Sequence, residues 1–207
     1  MKISYAITVC NEFIEIQRLI SFLLQRKRSE DQIVVLFDEA NGDPEIEQYL
    51  RTHSINNEFI WHKDAFNRHF AIWKNKLASY CTGDYIFQID ADELPTVSLI
   101  ENLPIVLESN PDTDIYLVPR INTVDGITAE HVKRWGWHVN DDGFINWPDY
   151  QGRIYKNTPH IKWIRSVHEC LDGHKTFAVL PAQIEYSLEH HKTITRQEKQ
   201  NELYAKL

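Results

Sequence analysis

The feature that most constrains this chain is an alternation. Within residues 1–90, nearly continuous apolar runs are followed each time by segments whose apolar residues recur every three or four positions. Residues 3–10, ISYAITVC, are apolar and β-branched, the composition of a strand buried on both faces. Phe13, Ile16, Leu19, Ile20, Leu23 and Leu24 then repeat at helical spacing and close on the basic QRKR. QIVVLFD (32–38) and EIEQYLRTH (45–53) renew the pair, and EFIWH (58–62) with the helical segment Asn67 to Cys81 renews it again. DYIFQID (84–90) opens a fourth round. Such alternation predicts parallel strands joined by right-handed crossovers, a doubly wound, mostly parallel α/β sheet. Ligands of these sheets bind beyond the carboxyl ends of the strands. Asn11, Asp38 and the acids Asp90, Asp92 and Glu93 all fall there.

The second half reads differently. A helix over 97–108 and a strand DIYLVPRI (114–121) continue the pattern, but residues 123–150 carry Trp and Gly without a period. Trp135, Gly136, Trp137, Gly143 and Trp147, with Asp141 and Asp142 among them, predict a loop able to act as a lid. RIYKN (153–157), IKWI (161–164) and AQIEYSL (182–188) read as short antiparallel strands, with a helix from about Thr195. The expectation is a single domain over 1–207, a parallel core with a small antiparallel extension.

Composition narrows the function. A net charge of −8 argues against a dedicated nucleic-acid binder, since neutralising phosphates takes clustered Lys and Arg. An anionic substrate would need a metal ion or a few placed basic side chains. No apolar stretch approaches the ~20 residues of a membrane span, and the N-terminal run is too short for a signal peptide. Cys10, Cys81 and Cys170 are scattered, without metal-ligand spacing, and suit reduced thiols in a cytoplasmic protein.

The acids after the fourth strand raise a chemical question, because an apolar strand runs straight into like charges. In Asp-x-Asp at a strand end the two carboxylates lie on one side, and they repel unless a cation sits between them. Hard oxygen ligands suit Mg²⁺ or Mn²⁺, which bind through one or two carboxylates plus water and substrate phosphates. A surface turn rich in acids is the plain alternative. Phosphatases place Asp-x-Asp on the first strand, whereas this chain has it on the fourth. A nucleotidyltransferase is disfavoured by the lack of a Gly-rich phosphate loop with Lys.

The order TVCNE (8–12), FDEANGD (37–43), a helix carrying Asn75, and GDYIFQIDADE (83–93) resembles the nucleotide-sugar-binding half of the family 2 glycosyltransferases with the GT-A fold. GRIYKN, SVHECL (166–171) and LEHHKT (188–193) are similar to the subset that elongates lipopolysaccharide cores and related glycans. The resemblance implies a metal-dependent, inverting hexosyltransferase that moves a sugar from a nucleoside diphosphate, a UDP-sugar first among these. The acceptor would be a hydroxyl on a glycan, lipid-linked saccharide or protein, reached with peripheral membrane contact at most. Residues 1–95 would be the donor half and 96–207 the acceptor half.

Carried over by position, the resemblance sets Thr8, Asn11, Glu12 and Asp38 around base and ribose. The family's second acid is displaced here to Asp43. Either Arg68 or Lys74 would serve the phosphates, Asp90 the ribose and Asp92 the metal, with Glu93 a weaker candidate for the same site. His190 or His191 would add a late metal ligand. Asp149 and Glu169 compete as the base that deprotonates the acceptor, with Asp149 slightly preferred. Trp135, Trp137 and Trp147 could present aromatic planes to a sugar. Asn11 and Glu12 equally suit a helix cap, and Asp38 a turn. A module that binds nucleotide sugar or glycan without turnover fits the same residues.

Overall fold

A computed structural model describes residues 1–56 and 58–204. The chain opens as β1 (Ile3–Val9), α1 (Phe13–Arg26), β2 (Gln32–Asp38), α2 (Pro44–His53), β3 (Ile60–Asp64), α3 (Phe70–Ala78) and β4 (Tyr85–Asp90). It continues as β5 (Glu93–Pro95), α4 (Val97–Ser109), β6 (Ile115–Asp125), α5 (Ala129–Trp135) and β7 (Ile145–Lys156). Four short strands follow, β8 (Lys162–Ile164), β9 (Cys170–Asp172), β10 (Phe177–Val179) and β11 (Leu188–Thr193), before α6 (Ile194–Tyr204).

The sheet order is β3-β2-β1-β4-β7-β6-β11-β5, with β10 also on β6. The first four strands are parallel, as the alternation requires. In β1, β2 and β4 the apolar runs are continuous because both faces are covered, whereas the edge strand β3 leaves Ile60 and Lys63 exposed. Tyr5, Ile7, Val35 and Phe37 pack towards Ile16, Leu19, Ile20 and Leu23 of α1 and Leu99 and Leu103 of α4. Ala6, Val34, Leu36 and Ile86 pack towards Ala71, Trp73 and Leu77 of α3. Each fully buried Leu or Ile contributes about 1.5–3 kcal/mol over an exposed one.

The second half is bent by its connectivity. β4 and β5 are separated by Ala91 and Asp92 alone, so Asp90 and Glu93 lie within about 11 Å of each other. Along the sheet, however, β5 is four neighbours from β4, a span of about 19 Å if the sheet were flat. The sheet therefore curls, and β11 with β5 returns across the carboxyl end of β4. β7 and β6 run antiparallel inside this curl, and β8 and β9 form a separate hairpin.

Three expectations are corrected. The third helix begins at Phe70 rather than Asn67, because His69 takes the N-cap and its ring accepts from Ile72 N at 3.3 Å. AQIEYSL is no strand: Ile184–Tyr186 is a 3-10 turn, and the strand is LEHHKT. Residues 123–150 are not one long loop. β6 runs to Asp125, α5 follows with Thr128 as its cap and Gly136 left-handed at its end, and β7 starts at Ile145. The expected C-terminal helix is present, and its continuation past Tyr204 lies outside the described residues.

Candidate active site

The site is built at the end of β4 by strand register. Thr8 and Asp90 are direct neighbours across β1 and β4, and Thr8 Oγ1 donates to Asp90 Oδ1 at 3.2 Å. Arg153, on β7, is 4% exposed and reaches Asp90 at 2.6 Å and Glu93 at 2.6 Å. Glu93, 1% exposed, also takes Arg120 Nη1 at 3.0 Å and Asp90 N at 3.2 Å. Arg120 in turn is the cross-strand partner of Asp149 and donates Nε and Nη2 to its Oδ2, at 3.0 and 2.6 Å. On the other side, Lys74 Nζ lies 3.2 Å from Asp90 and 2.7 Å from Glu169.

These contacts form one line of alternating charge: Glu169, Lys74, Asp90, Arg153, Glu93, Arg120, Asp149. Ions taken from water need such partners, because an unpaired one costs several kcal/mol. Burial pushes the Asp90 carboxyl up, but Arg153 and Lys74 outweigh it and hold it far below the usual range. Burial works against the charge on Arg153 too, and Asp90 and Glu93 reverse the effect and raise it.

Lys74 is 2% exposed and stands 4.7 Å over the ring of Trp163. Its ammonium is thus shared between two carboxylates and an aromatic face. β8, the strand that leads into the segment bearing Glu169, is held by Asn75, whose amide donates to Trp163 O at 2.8 Å and accepts from Trp163 N at 3.0 Å. The side chain thus behaves as a strand neighbour to β8.

Asp92 has separate surroundings. His190 Nε2 lies 3.3 Å from its Oδ2, Lys192 Nζ 3.6 Å and Arg196 Nη2 3.8 Å. Burial alone would raise this carboxyl, and the hydrogen bond and charge of His190, then Lys192, bring it down. His190 and Lys192 share a face of β11 by its period of two. His191 takes the opposite face, against Thr123 Oγ1 at 2.9 Å and Asp125 at 3.1 Å, so it is not brought to the acids.

One carboxylate and one imidazole face each other here, two of the donors a divalent ion could use. His190 holds Nδ1 at 2.7 Å from Asn122 Oδ1, the outer contact that orients metal-binding imidazoles, and aims Nε2 at Asp92. Among the described residues no three His, Cys, Asp or Glu side chains converge, so a metal here would be held by Asp92 and His190 and completed by ligand and water.

At the end of β1, Glu12 does not cap α1 by a side-chain bond. Its carboxylate accepts from Cys10 N at 2.9 Å, Asn11 N at 3.0 Å and Arg196 Nη2 at 3.2 Å, while Asn11 is exposed. Asp38 is 3% exposed and shapes its turn, accepting from Ala40 N at 3.0 Å, Phe66 N at 3.1 Å and Asn41 Nδ2 at 2.9 Å. Gly42 lies so close that a Cβ would meet Asp38 O at 2.3 Å. Asp43 caps α2 through Glu45 N. Arg68 is exposed, with φ 62°, so of the two basic candidates only Lys74 enters the cluster. Arg120, Arg153, Lys192 and Arg196 were missed in the sequence. A lone Arg inside an apolar strand, as in DIYLVPRI and GRIYKN, is the signal that could have found the first two, since buried cations imply buried partners.

A parallel sheet with acids at the end of its fourth strand and a curled antiparallel extension is the arrangement of GT-A glycosyltransferases. S. aureus TarS 1-349 matches it with a TM-score of 0.65 at 12% identity, over 92% of this chain and 60% of that one. The same protein in complex with UDP-GlcNAc gives 0.64 at 13% identity, over 93% of this chain and 59% of that one. This chain therefore spans about 60% of the length of the solved TarS 1-349. The sequence model of glycosyl transferase family 2 matches residues 4–171. The chain belongs to that family. Among the described residues no helix is long and apolar enough to cross a membrane.

Proposed function

We propose that the chain transfers a sugar, with inversion, from a nucleoside diphosphate to a hydroxyl of a glycan, lipid-linked saccharide or protein. The reading rests on Lys74, a buried cation shared by the strand-end acid Asp90 and by Glu169. A UDP-sugar is the donor class tested first, since TarS was solved with UDP-GlcNAc and with UDP. Residues 1–95 would hold the donor and 96–207 the acceptor. Free thiols at Cys10, Cys81 and Cys170 support a reducing, cytoplasmic setting.

In this reading Glu169 is the base. Its Oε1 takes the Lys74 ammonium, and the carboxylate receives the proton of the acceptor hydroxyl as that oxygen bonds to the anomeric carbon. The bond from this carbon to the phosphate oxygen breaks, and its electron pair leaves with the nucleoside diphosphate. Asp149, the competing base, has Arg120 and Asn122 on one oxygen and Gln151 at 2.8 Å on the other, which supports a role in anchoring Arg120. Asp92 and His190 would hold Mn²⁺ or Mg²⁺, which neutralises charge on the departing diphosphate when bound. Trp135 and Trp137, with ring centroids 4.6 Å apart, support an aromatic platform for the acceptor.

The test is a thermal-shift screen of UDP, GDP, dTDP and CMP sugars with and without Mn²⁺, followed by donor turnover. One nucleotide class should stabilise the protein, and Glu169→Gln should lower kcat by about 10²–10⁴ with nucleotide binding intact. Asp149→Asn should cost less than tenfold. No response to any nucleotide sinks the reading, and the reverse order of the two variants makes Asp149 the base.

A further inference from the structure

The surroundings of Asp92 contain more positive charge than a metal site should tolerate. One oxygen, Oδ2, faces Lys192 at 3.6 Å and Arg196 at 3.8 Å as well as His190. A divalent ion on Asp92 and His190 would sit beside two fixed cations, and like charges at such range oppose each other strongly in a partly buried site. Neither cation is there by default. Lys192, 6% exposed, gives its ammonium a neutral partner, Gln200 Oε1 at 2.6 Å. Arg196 bridges from α6 to Glu12 and Glu15 at the start of α1, pairs it could keep without reaching Asp92. The two residues lie on β11 and the first turn of α6, on the flank where the metal-bound end of a donor would arrive.

We propose that Lys192 and Arg196 form a diphosphate-binding pair that guards Asp92. Without nucleotide they neutralise the carboxylate and keep a divalent ion off it. A diphosphate draws both cations to its own oxygens, which releases Asp92 and His190 to the metal. Nucleotide and metal then bind cooperatively, and by linkage each raises the affinity of the other equally. The proposal rests on the reading of Asp92 and His190 as metal ligands given above.

The experiment is a titration of the whole chain with Mn²⁺, with free Mn²⁺ followed by electron paramagnetic resonance, alone and in saturating UDP. The wild type should bind Mn²⁺ weakly alone and at least about tenfold more tightly with UDP. Lys192→Met and Arg196→Met should each tighten nucleotide-free Mn²⁺ binding severalfold, weaken UDP, and shrink the coupling, while Arg196→Lys retains part of it. Arg196, whose side chain is 30% exposed, carries the test if Lys192→Met does not fold. His190→Ala separates the two readings. Mn²⁺ binding that needs His190 but ignores Lys192 and Arg196 overturns the guard and leaves the metal site standing. No Mn²⁺ binding in any form, with or without UDP, overturns both.

Discussion

Arg153 holds Glu93 at 2.6 Å, and both side chains are closed to solvent. Removing Arg153 takes the closest cation from both Glu93 and Asp90, which then keep Arg120 and Lys74, and breaking a buried pair costs about 3–5 kcal/mol. Arg153→Met should therefore lose about that much in urea unfolding, and adding Glu93→Leu should recover at least about 1 kcal/mol of it. A single variant within about 1 kcal/mol of the wild type would mean that water reaches the pair.

Asp114 gives the chain an acid-sensitive joint. Its carboxylate accepts from Lys175 N at 2.8 Å and pairs with Lys156 Nζ at 3.1 Å. Those contacts, the Lys175 amide foremost, lower its pKa from 3.8 to about 2. A carboxyl lowered on folding stabilises the protein above its unfolded pKa and loses that contribution as pH falls through the folded one. Stability should thus decline between pH 3.8 and about 2, and Asp114→Asn should flatten this stretch of the urea midpoint against pH. An unchanged slope in the variant assigns the decline to other groups.

Asn75 ties α3 to the main chain of Trp163 from 88 residues away. Asn75→Ala leaves a buried N–H and C=O unsatisfied, at about 1–3 kcal/mol each. Hydrogen exchange at Lys162–Ile164 should accelerate, and donor turnover should drop as Glu169 loses its support. Fast exchange with full turnover would uncouple the hairpin from the proposed base.

Two thiols should be inert. Burial raises Cys10, with Asp38 adding to it, and burial raises Cys81, each to about 12. At pH 8 that leaves about one thiolate in 10⁴. Thiol labelling of the native protein should spare both, and urea should expose them. Prompt labelling of Cys10 at pH 8 would contradict its pairing with Asp38.

The choice between basic residues can be read from binding. Lys74→Met should weaken UDP by more than about tenfold, roughly 1.4 kcal/mol, while Arg68→Met stays within about twofold. Equal losses would place the phosphates near both, against the exposure of Arg68.

The parallel half was legible because its signals are local. A strand buried on both faces reads as VVLF, and a helix as a spacing of three and four, whatever the rest of the chain does. The acids at Asp90, Asp92 and Glu93 were legible for the same reason. What was not legible depends on register between distant segments. That Arg153 meets Glu93, and that His190 rather than His191 meets Asp92, follows from pairings across 60 and 98 residues. Lys74 stood out from Arg68 only once α3 was seen to begin at Phe70. The Trp-rich segment misled because Trp and Gly mark loops on average, while here a Thr128 cap starts a helix inside it.

The curl of the sheet also sets an order of events in synthesis. β5 leaves the ribosome early, yet its only ladder among the described residues is with β11, about a hundred residues later. Until Leu188–Thr193 emerges, β5 has an open edge, and Asp92 lacks His190, Lys192 and Arg196. A ribosome-stalled chain ending before Leu188 should therefore hold a folded β1–β4 layer without a finished site. The acids at the end of β4 are thus made about a hundred residues before the basic side chains that close on Asp92, so a nascent chain holds them for that interval without their partners.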